Sequence, residues 1–271
     1  MQSSEYSSTD DVDLEPFDDG ADIWDQISFS VKTIPNNLRR YWKNRFLLFS
    51  KYSEGIWMDE QSWYSVTPEL VAKNIADHIY NSCRPSVVLD AFCGAGGNTI
   101  QFALLVDKVI AIEKNPVTLR CAKHNAEIYG VADKIEFIEG DFFELAPNIE
   151  ATDGFITQAD VVFLSPPWGG PQYFSYEVFD LNAMEPYDLT TIMNASRPIS
   201  PHIAIYLPRN CNIEQLRDSI EEYADSDYDD NTVLISYLHV RRQCKAICAY
   251  YGALAVPSST DYAVLQATSA K

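Results

Sequence analysis

Short apolar runs alternate with amphipathic segments through the middle of the chain. The apolar runs predict strands that are buried along their length, at residues 86–92, 108–113, 134–141, 160–165 and 202–208. Helix-compatible segments lie between and after these strands, at residues 97–105, 116–130 and 212–224. Such alternation is typical of a parallel sheet with helices on both faces, so the pattern predicts an α/β fold.

Two further β-rich runs, residues 232–240 and 244–251, follow each other without a helix between them. A connection this short joins antiparallel neighbours, so we expect an antiparallel edge at one side of the parallel sheet. The predicted sheet then contains seven strands.

Charge is distributed unevenly along the chain, whose net charge is −19. Residues 1–31 contain nine acids and no Lys or Arg, which predicts a disordered acidic tail. Residues 32–53 contain six cations and no acid, interleaved with aromatic residues. We expect an amphipathic helix with one basic face here, which would serve either as a solvated face or as a phosphate-binding face. A second acidic cluster, at residues 221–230, has the composition of a solvated loop.

The six cysteines are scattered, without a CxxC pair or a matching set of histidines. This spacing favours buried thiols in a reducing compartment over a disulfide framework or a zinc site. No apolar run is long enough for a membrane span, and the N-terminus lacks the pattern of a signal peptide. We therefore expect a soluble intracellular protein with no metal and no membrane partner.

In a parallel α/β sheet, ligands bind beyond the carboxyl ends of the strands. The first strand ends in a glycine-rich segment from Asp90 to Asn98, in which Gly94 and Gly96 allow a tight turn and close approach of a ligand. The dinucleotide fingerprint GxGxxG fails here because Thr99 stands at its third glycine. An acid in this loop suits a cationic ligand better than a pyrophosphate.

The next two strands also end in acids. Glu113 is placed to accept hydrogen bonds from two ribose hydroxyls, and Asp141 to accept one from an exocyclic amine. Phe142, the next residue, offers a ring that could lie on a purine. An adenosine with a cationic amino-acid tail satisfies all three strand ends, so the serial order of these residues predicts S-adenosylmethionine as cofactor, with S-adenosylhomocysteine as product.

The fourth strand ends in Ser-Pro-Pro-Trp, at residues 165–168. This segment resembles the (Asp/Asn/Ser)-Pro-Pro-(Tyr/Phe/Trp) motif of methyltransferases that act on exocyclic amino groups of bases. The Ser165 hydroxyl and the Pro166 carbonyl could accept the two N–H groups of a poorly nucleophilic aryl amine, and proline presents its carbonyl rigidly. Trp168 could stack on the base, whereas an isolated Trp at such a corner is often simply buried.

Five blocks extend the resemblance: RYWKNRFLLFS (40–50), WYSVTPE (63–69), DAFCGAGGNTIQFA (90–103), SPPWGGPQY (165–173) and YLPRN (206–210). Together they resemble the trimethylguanosine synthases, over roughly residues 38–252 and in family order. That family methylates guanine N2 in the 7-methylguanosine cap of small nuclear and nucleolar RNAs. The resemblance implies a Rossmann-like, seven-stranded class I methyltransferase sheet with an N-terminal helical extension.

The resemblance also implies roles for residues outside the donor site. Trp168 would stack on the methylated guanine with Ser65 on the opposite face, and Thr67 would contact the methionine end of the donor. The triphosphate bridge would be held by Arg40, Tyr173, Arg209 and Asn210. No metal and no dedicated general base are implied.

The chain then divides into an acidic tail (1–30), a helical extension that contributes to the cap site (31–70), a methyltransferase core (71–256) and a C-terminal tail (257–271). The implied partners are m7G-capped small nuclear and nucleolar RNAs and the RNP proteins bound to them. Nuclear or nucleolar placement rests on the resemblance alone.

Two alternatives stay open at this point. An N-methyltransferase for a base in DNA or another RNA could also use SPPW, but it would have less need for Ser65 and the phosphate-binding residues. A non-catalytic cap-binding module could keep Trp168 and Arg209 and need not keep the donor site.

Overall fold

The computed structural model describes residues 27, 33–147, 159–170, 173, 175–221, 232–257 and 262–266, and for residues 221 and 262–266 it describes the backbone alone. The predicted acidic tail over 1–30, apart from Ile27, lies outside the described residues. So do residues 148–158 of the loop before the fourth strand and most of the acidic cluster at 221–230.

One mixed sheet organises the described chain. Its eight described strands are β1 (Val87–Asp90), β2 (Lys108–Glu113), β3 (Ile135–Glu139), β4 (Val161–Leu164), β5 (Ile203–Pro208), β6 (Thr232–Val240), β7 (Gln243–Tyr250) and β8 (Tyr262–Gln266). They lie in the order β3-β2-β1-β4-β5-β7-β6-β8. The first five are parallel, whereas β7 is antiparallel to β5 and β6, and β8 is antiparallel to β6. The predicted parallel sheet with an antiparallel pair is confirmed.

The eighth strand departs from the prediction. We expected a C-terminal tail over 257–271, but Tyr262–Gln266 pairs with β6 along five residues. The antiparallel pair β6–β7 would otherwise leave β6 as an open edge, and an unpaired edge is a template for another strand. The β-rich sequence YAVLQ meets that template.

Nearly continuous apolar sequence buries the central strands on both faces. All residues of β4 and β5 are buried, and two core clusters cover the two faces of the sheet. The chain leaves β1 toward β2 and β3 on one side and returns to β4 and β5 on the other. The strand order therefore reverses between β1 and β4, where a ligand crevice is expected.

Six helices accompany the sheet in the described residues: α4 (Glu69–Cys83), α5 (Gly97–Ala103), α6 (Pro116–Tyr129), α7 (Phe142–Leu145), α8 (Leu189–Ser196) and α9 (Ile213–Glu221). α6 begins at Pro116, with Asn115 as its side-chain cap, and ends at Gly130 in the left-handed conformation. We had not predicted α4, α7 or α8. None of the described helices is long and apolar enough to cross a membrane.

The extension before α4 is not the single amphipathic helix that we expected. It contains three four-residue helices, α1 (Arg39–Trp42), α2 (Arg45–Leu48) and α3 (Ser62–Ser65), and a 3-10 turn at Tyr52–Glu54. Leu38, Phe49 and Trp63 are almost fully buried in the core of the body. Helices this short have little intrinsic stability, so this packing, and not helix propensity, determines the path of the chain.

The cations of the extension likewise do not form one basic face. Arg45 lies over the rings of Trp42 and Phe46 and donates to the carbonyl of Trp42. Lys51 donates to the carbonyl of Ile128 in the body. These two cations hold the extension together and attach it, while Arg40 stays exposed on α1.

Candidate active site

Asp90 ends β1 as a fully buried carboxyl group. Its Oδ2 accepts a hydrogen bond from the Thr99 hydroxyl at 2.6 Å, and its Oδ1 one from the Phe92 backbone N–H at 3.4 Å. Burial raises the pKa of Asp90 to about 7, because the charged form loses its hydration, and the nearby Glu113 carboxyl also raises it. A cationic ligand beside this group would favour its ionised form.

The loop after β1 is built by glycines with left-handed backbone. Gly94 has φ +53° and Gly96 has φ +90°. A Cβ atom added to Gly94 would meet no described atom within 4 Å, so the backbone faces open space there. At Gly97, an added Cβ would come within 2.8 Å of Val66, which shows how closely the extension approaches the start of α5.

Asn98 brings a buried acceptor to the same loop. Its Nδ2 donates to Thr67 Oγ1 at 3.0 Å, and both residues are buried. Its Oδ1 is buried and has no hydrogen-bond partner among the described residues. A buried acceptor without a partner is costly, so this oxygen is suited to a donor group of a ligand, such as an ammonium.

Glu113 ends β2 beside the same loop. Its Oε2 accepts from the Gly94 backbone N–H at 3.1 Å and its Oε1 from the Asn115 N–H at 2.9 Å. Burial raises its pKa, and these two hydrogen bonds oppose that shift. Each carboxylate oxygen keeps further lone-pair capacity, so the group can still accept hydrogen bonds from a pair of ribose hydroxyls.

Asp141 and Phe142 at the end of β3 differ from our expectation. Asp141 caps α7, with Oδ1 accepting from the Phe143 N–H at 3.0 Å, and its Oδ2 accepts from the Tyr187 hydroxyl at 2.9 Å. An exocyclic amine would therefore share or replace the bond from Tyr187. Phe142 is 1% exposed because the capped turn directs its ring into the core against Phe92, so it presents no face to a purine. The half-buried rings here are Phe92 and Phe143.

The Ser-Pro-Pro-Trp segment follows β4, which pairs directly with β1. Ser165 Oγ donates to the carbonyl of Phe92 at 3.2 Å, which links it to the glycine loop. Because the hydroxyl proton is donated to this carbonyl, the lone pairs of the Ser165 oxygen remain available to an incoming N–H. Among the described residues, the Pro166 carbonyl accepts no hydrogen bond. Two acceptors thus lie side by side at the switch point of the sheet.

Trp168 is half-buried and packs against both core clusters. Its Nε1 donates to the carbonyl of Tyr206 at 3.3 Å. The Tyr206 ring lies 5.4 Å away at a tilt of 36°, and Tyr173 meets the indole edge-on at 5.1 Å. These contacts hold the plane of the indole while part of the ring stays accessible.

A series of neighbouring side chains leads from the extension to Tyr173, which contacts Trp168. Arg40 lies over the Tyr41 ring, 4.6 Å from its centroid. Burial raises the pKa of Tyr173 to about 12, while Arg209 is close enough to lower it and Tyr41 to raise it. Tyr41 of the extension and Arg209 of the body therefore both lie near Tyr173, and Arg40 lies against Tyr41.

Asn210, and not Ser65, is engaged differently from what we expected. Asn210 Nδ2 donates to the carbonyls of Tyr173 (3.0 Å) and Tyr176 (2.8 Å), so its side chain positions the loop of Tyr173 and has no side-chain N–H left for a phosphate. Ser65 is exposed and donates to the Gln61 carbonyl at 3.1 Å. Its place opposite Trp168 stays a prediction.

Sequence reasoning missed two residues of this site. Tyr206 is buried, is linked to Thr67 by a side-chain hydrogen bond and packs on Trp168, so it joins the two halves of the site. Its position in the YLPRN block was the available signal. Tyr187 donates a hydrogen bond to Asp141. It follows a Pro in a loop, and no motif or pattern in the sequence marked it as a site residue. No group of three or more His, Cys, Asp or Glu residues in the described part of the chain is arranged to hold a metal.

Comparison with known proteins gives a consistent result. A family model described as RNA cap guanine-N2 methyltransferase matches residues 85–254. The chain is 41% identical to the trimethylguanosine synthase of Schizosaccharomyces pombe over 219 residues, which cover 80% of this chain and 87% of that protein. It is 38% identical to that of Saccharomyces cerevisiae over 192 residues, which cover 69% of this chain and 60% of that protein.

Structural comparison supports the fold. The solved structure of a SAM-dependent methyltransferase from Agrobacterium tumefaciens superposes with a TM-score of 0.52 at 14% identity, over 69% of this chain and 63% of that one. The predicted class I methyltransferase fold is thereby confirmed. With the family model spanning more than half of the chain and the fission yeast relative spanning most of it, the chain belongs to the RNA cap guanine-N2 methyltransferase family.

Proposed function

We propose that the protein transfers a methyl group from S-adenosylmethionine to guanine N2 of the m7G cap of small nuclear and nucleolar RNAs, which forms the 2,2,7-trimethylguanosine cap. One observation carries the proposal beyond family membership. Ser165 is hydrogen-bonded to Phe92 of the glycine loop. The acceptors for the amine therefore adjoin the loop that is expected to hold the methyl donor. Nuclear location and contact with RNP proteins are further parts of the proposal.

The donor residues present fit S-adenosylmethionine. Asp90 and the Asn98 Oδ1, which has no partner in the described chain, suit the cationic methionine end, with Thr67 holding Asn98, and Glu113 suits the ribose. When bound, the cofactor supplies an electrophilic methyl group on its sulfonium. The residues described here contribute binding and orientation, which can lower a barrier by several kcal/mol, about 7–11 in model systems.

The acceptor residues make the guanine amine a better nucleophile. Its lone pair is delocalised into the ring, and hydrogen bonds from its two N–H groups to Ser165 Oγ and the Pro166 carbonyl direct that lone pair to one side. The methylated amine is strongly acidic and loses its proton to water, so no dedicated base is required.

Selectivity for the m7G cap follows from charge. N7-methylation makes the purine cationic, so the indole of Trp168 gains a cation–π attraction that an unmethylated cap lacks, worth about 0.5–2 kcal/mol. Arg209, which is close enough to Tyr173 to lower its pKa, and Arg40, which lies over the Tyr41 ring, would bind the triphosphate bridge. Ser65 would cover the other face of the base.

The test offers labelled donor to m7G-capped RNA, to the same RNA with an unmethylated cap and to an uncapped duplex. We expect label on guanine N2 of the m7G cap and little on the other two. Equal labelling of the unmethylated cap, or labelling of the duplex, would contradict the proposal. Cap binding without transfer would indicate a non-catalytic module.

Trp168→Ala should reduce transfer to the m7G cap by about 10- to 100-fold, since stacking on a base contributes about 1–3 kcal/mol. Binding of S-adenosylhomocysteine, measured by calorimetry, should stay nearly unchanged. Tyr80→Ala, which alters an aromatic residue of α4, serves as the control. Loss of cofactor binding in Trp168→Ala would mean that the indole supports the donor site instead.

A further inference from the structure

The turn between β6 and β7 carries a group of exposed basic residues, which we call the basic hairpin tip: His239, Arg241, Arg242 and Lys245. No acid occurs between residues 239 and 245. In the described part of the chain, neither Arg241 nor Arg242 forms a salt bridge. Four exposed basic residues that form no salt bridge within the described chain are unexpected in a protein with a net charge of −19.

The tip lies at the same edge of the sheet as the candidate active site. β5 ends at Pro208, which pairs with Ala246 of antiparallel β7. Residues 239–245 therefore extend past the end of β5, by roughly 10 Å at the rise of a strand. A register shift between Leu238 and His239 leaves Lys245 as an extra residue at the base of the turn, and such bulges redirect side chains.

The backbone of the turn is unfavourable for the residues it contains. Val240 pairs with Gln243, so the loop has two residues, and both Arg241 (φ +50°) and Arg242 (φ +67°) are left-handed. This geometry strongly favours Asn-Gly, because a side chain with a Cβ is strained at positive φ. Strain retained by charged, exposed residues is a reason to look for function at that place.

Arg209 connects the tip to the triphosphate-binding residues. Its Nη1 donates to the carbonyl of Cys244 at 3.0 Å, at the base of the tip. The same guanidinium is close enough to Tyr173 to lower its pKa. The Arg209 guanidinium therefore contacts the base of the tip and also lies near Tyr173 of the candidate active site.

We infer that the basic hairpin tip binds the phosphates of the RNA chain that follows the cap. This inference rests on the proposed function, since the cap positions the first nucleotides beside Arg209. Cations that contact phosphates without reading bases would increase affinity for any capped RNA longer than the cap itself. They would give no advantage with a free cap dinucleotide.

The test compares the KM for a cap dinucleotide (m7GpppG) with the KM for a longer m7G-capped oligonucleotide. The double variant Arg241→Asn, Arg242→Gly removes both charges and installs the favoured turn, so its Tm should equal or exceed that of the unaltered protein. Its KM for the oligonucleotide should rise about tenfold at low salt. The slope of log KM against log salt concentration should be smaller by about 1.4, because two phosphate contacts are lost. Its KM for the dinucleotide should stay within about twofold.

Arg84→Asn is a matched control, because Arg84 is also exposed and left-handed (φ +50°) but precedes the amino end of β1. It should change neither KM. An equal rise for both substrates, or no rise for the oligonucleotide, would overturn the inference; the second result would also be expected if the tip bound an acidic protein segment. Failure of the proposed function would differ, since the unaltered protein would then not methylate the dinucleotide.

Discussion

The carboxyl group of Asp90 is the clearest case of a single residue whose chemistry is determined by its surroundings. It ends a buried strand, and its described partners are one hydroxyl and one long backbone contact. Its pKa rises from an ordinary value near 3.8 to about 7 because burial disfavours the ion. A raised folded-state pKa means that the protonated form is favoured on folding. Stability is therefore lost as pH rises from about 4 through 7.

Asp90→Asn should consequently raise the Tm of the ligand-free protein more at pH 8 than at pH 5. The wild-type carboxyl is neutral at pH 5 and ionised at pH 8, whereas the amide cannot ionise. The same change should weaken cofactor binding, since the charge beside a sulfonium is lost. Thermal unfolding at both pH values tests this, and a Tm difference that does not depend on pH would contradict it.

The residue types at the strand ends could be predicted from the sequence. Which of their polar atoms and rings remain available to a ligand could not be predicted. The motif and the strand pattern together placed Asp90, Glu113 and Ser165 at one edge of the sheet. Whether Asn210 gives its N–H groups to a phosphate or to the Tyr173 loop depends on contacts between distant segments. The same holds for Phe142, whose burial follows from the packing of α7.

At the scale of elements, buried polar contacts attach the extension to the body. Asp59 accepts hydrogen bonds from the Thr118 hydroxyl of α6 at 2.9 Å and from the Ser62 N–H of α3 at 3.0 Å. Asn125 of α6 bonds both the N–H and the carbonyl of Trp57. Because the extension carries Arg40, these contacts determine where this proposed triphosphate ligand lies.

Thr118→Val should therefore loosen the extension. It leaves the buried Asp59 Oδ2 without its partner, which costs about 1–3 kcal/mol and lowers the Tm by several degrees. The KM for the m7G cap should rise, while cofactor binding changes little. Thr190→Val, at an exposed position of α8, is the control and should change neither quantity. A lower Tm with an unchanged KM for the m7G cap would show that the attachment of the extension does not affect cap binding.

Element boundaries in the sheet followed the sequence closely, as at β2, whose predicted and observed limits are both 108–113. Helix α4 had a usable signal that we did not apply: its buried residues Val71, Ile75 and Ile79 recur every four positions. The broken extension had no such signal, since its path depends on aromatic packing against the body. The pairing of β8 likewise depends on an edge that only the folded sheet provides.

At the scale of the whole molecule, charge is separated along the chain. The net charge of −19 repels RNA at long range, although Arg209 and the basic hairpin tip place cations at one edge of the sheet. Nine of the 39 acids lie within residues 1–25, which contain no Lys or Arg. Long-range repulsion of this kind acts mainly on the rate of association.

Removal of residues 1–25 changes the net charge to −10 (−19 plus 9) and keeps Ile27, which is buried against the core. Association with m7G-capped RNA, followed by stopped flow, should become about two- to fivefold faster at low salt, because the repulsion is smaller. The gain should disappear near 1 M salt, where the Debye length is about 3 Å. Cofactor binding, which involves a small ligand at the strand ends, should not change. An association rate that is unaltered at low salt would show that the acidic segment does not influence the approach of RNA. A faster rate that persists at high salt would indicate that the segment blocks RNA sterically and not by electrostatic repulsion.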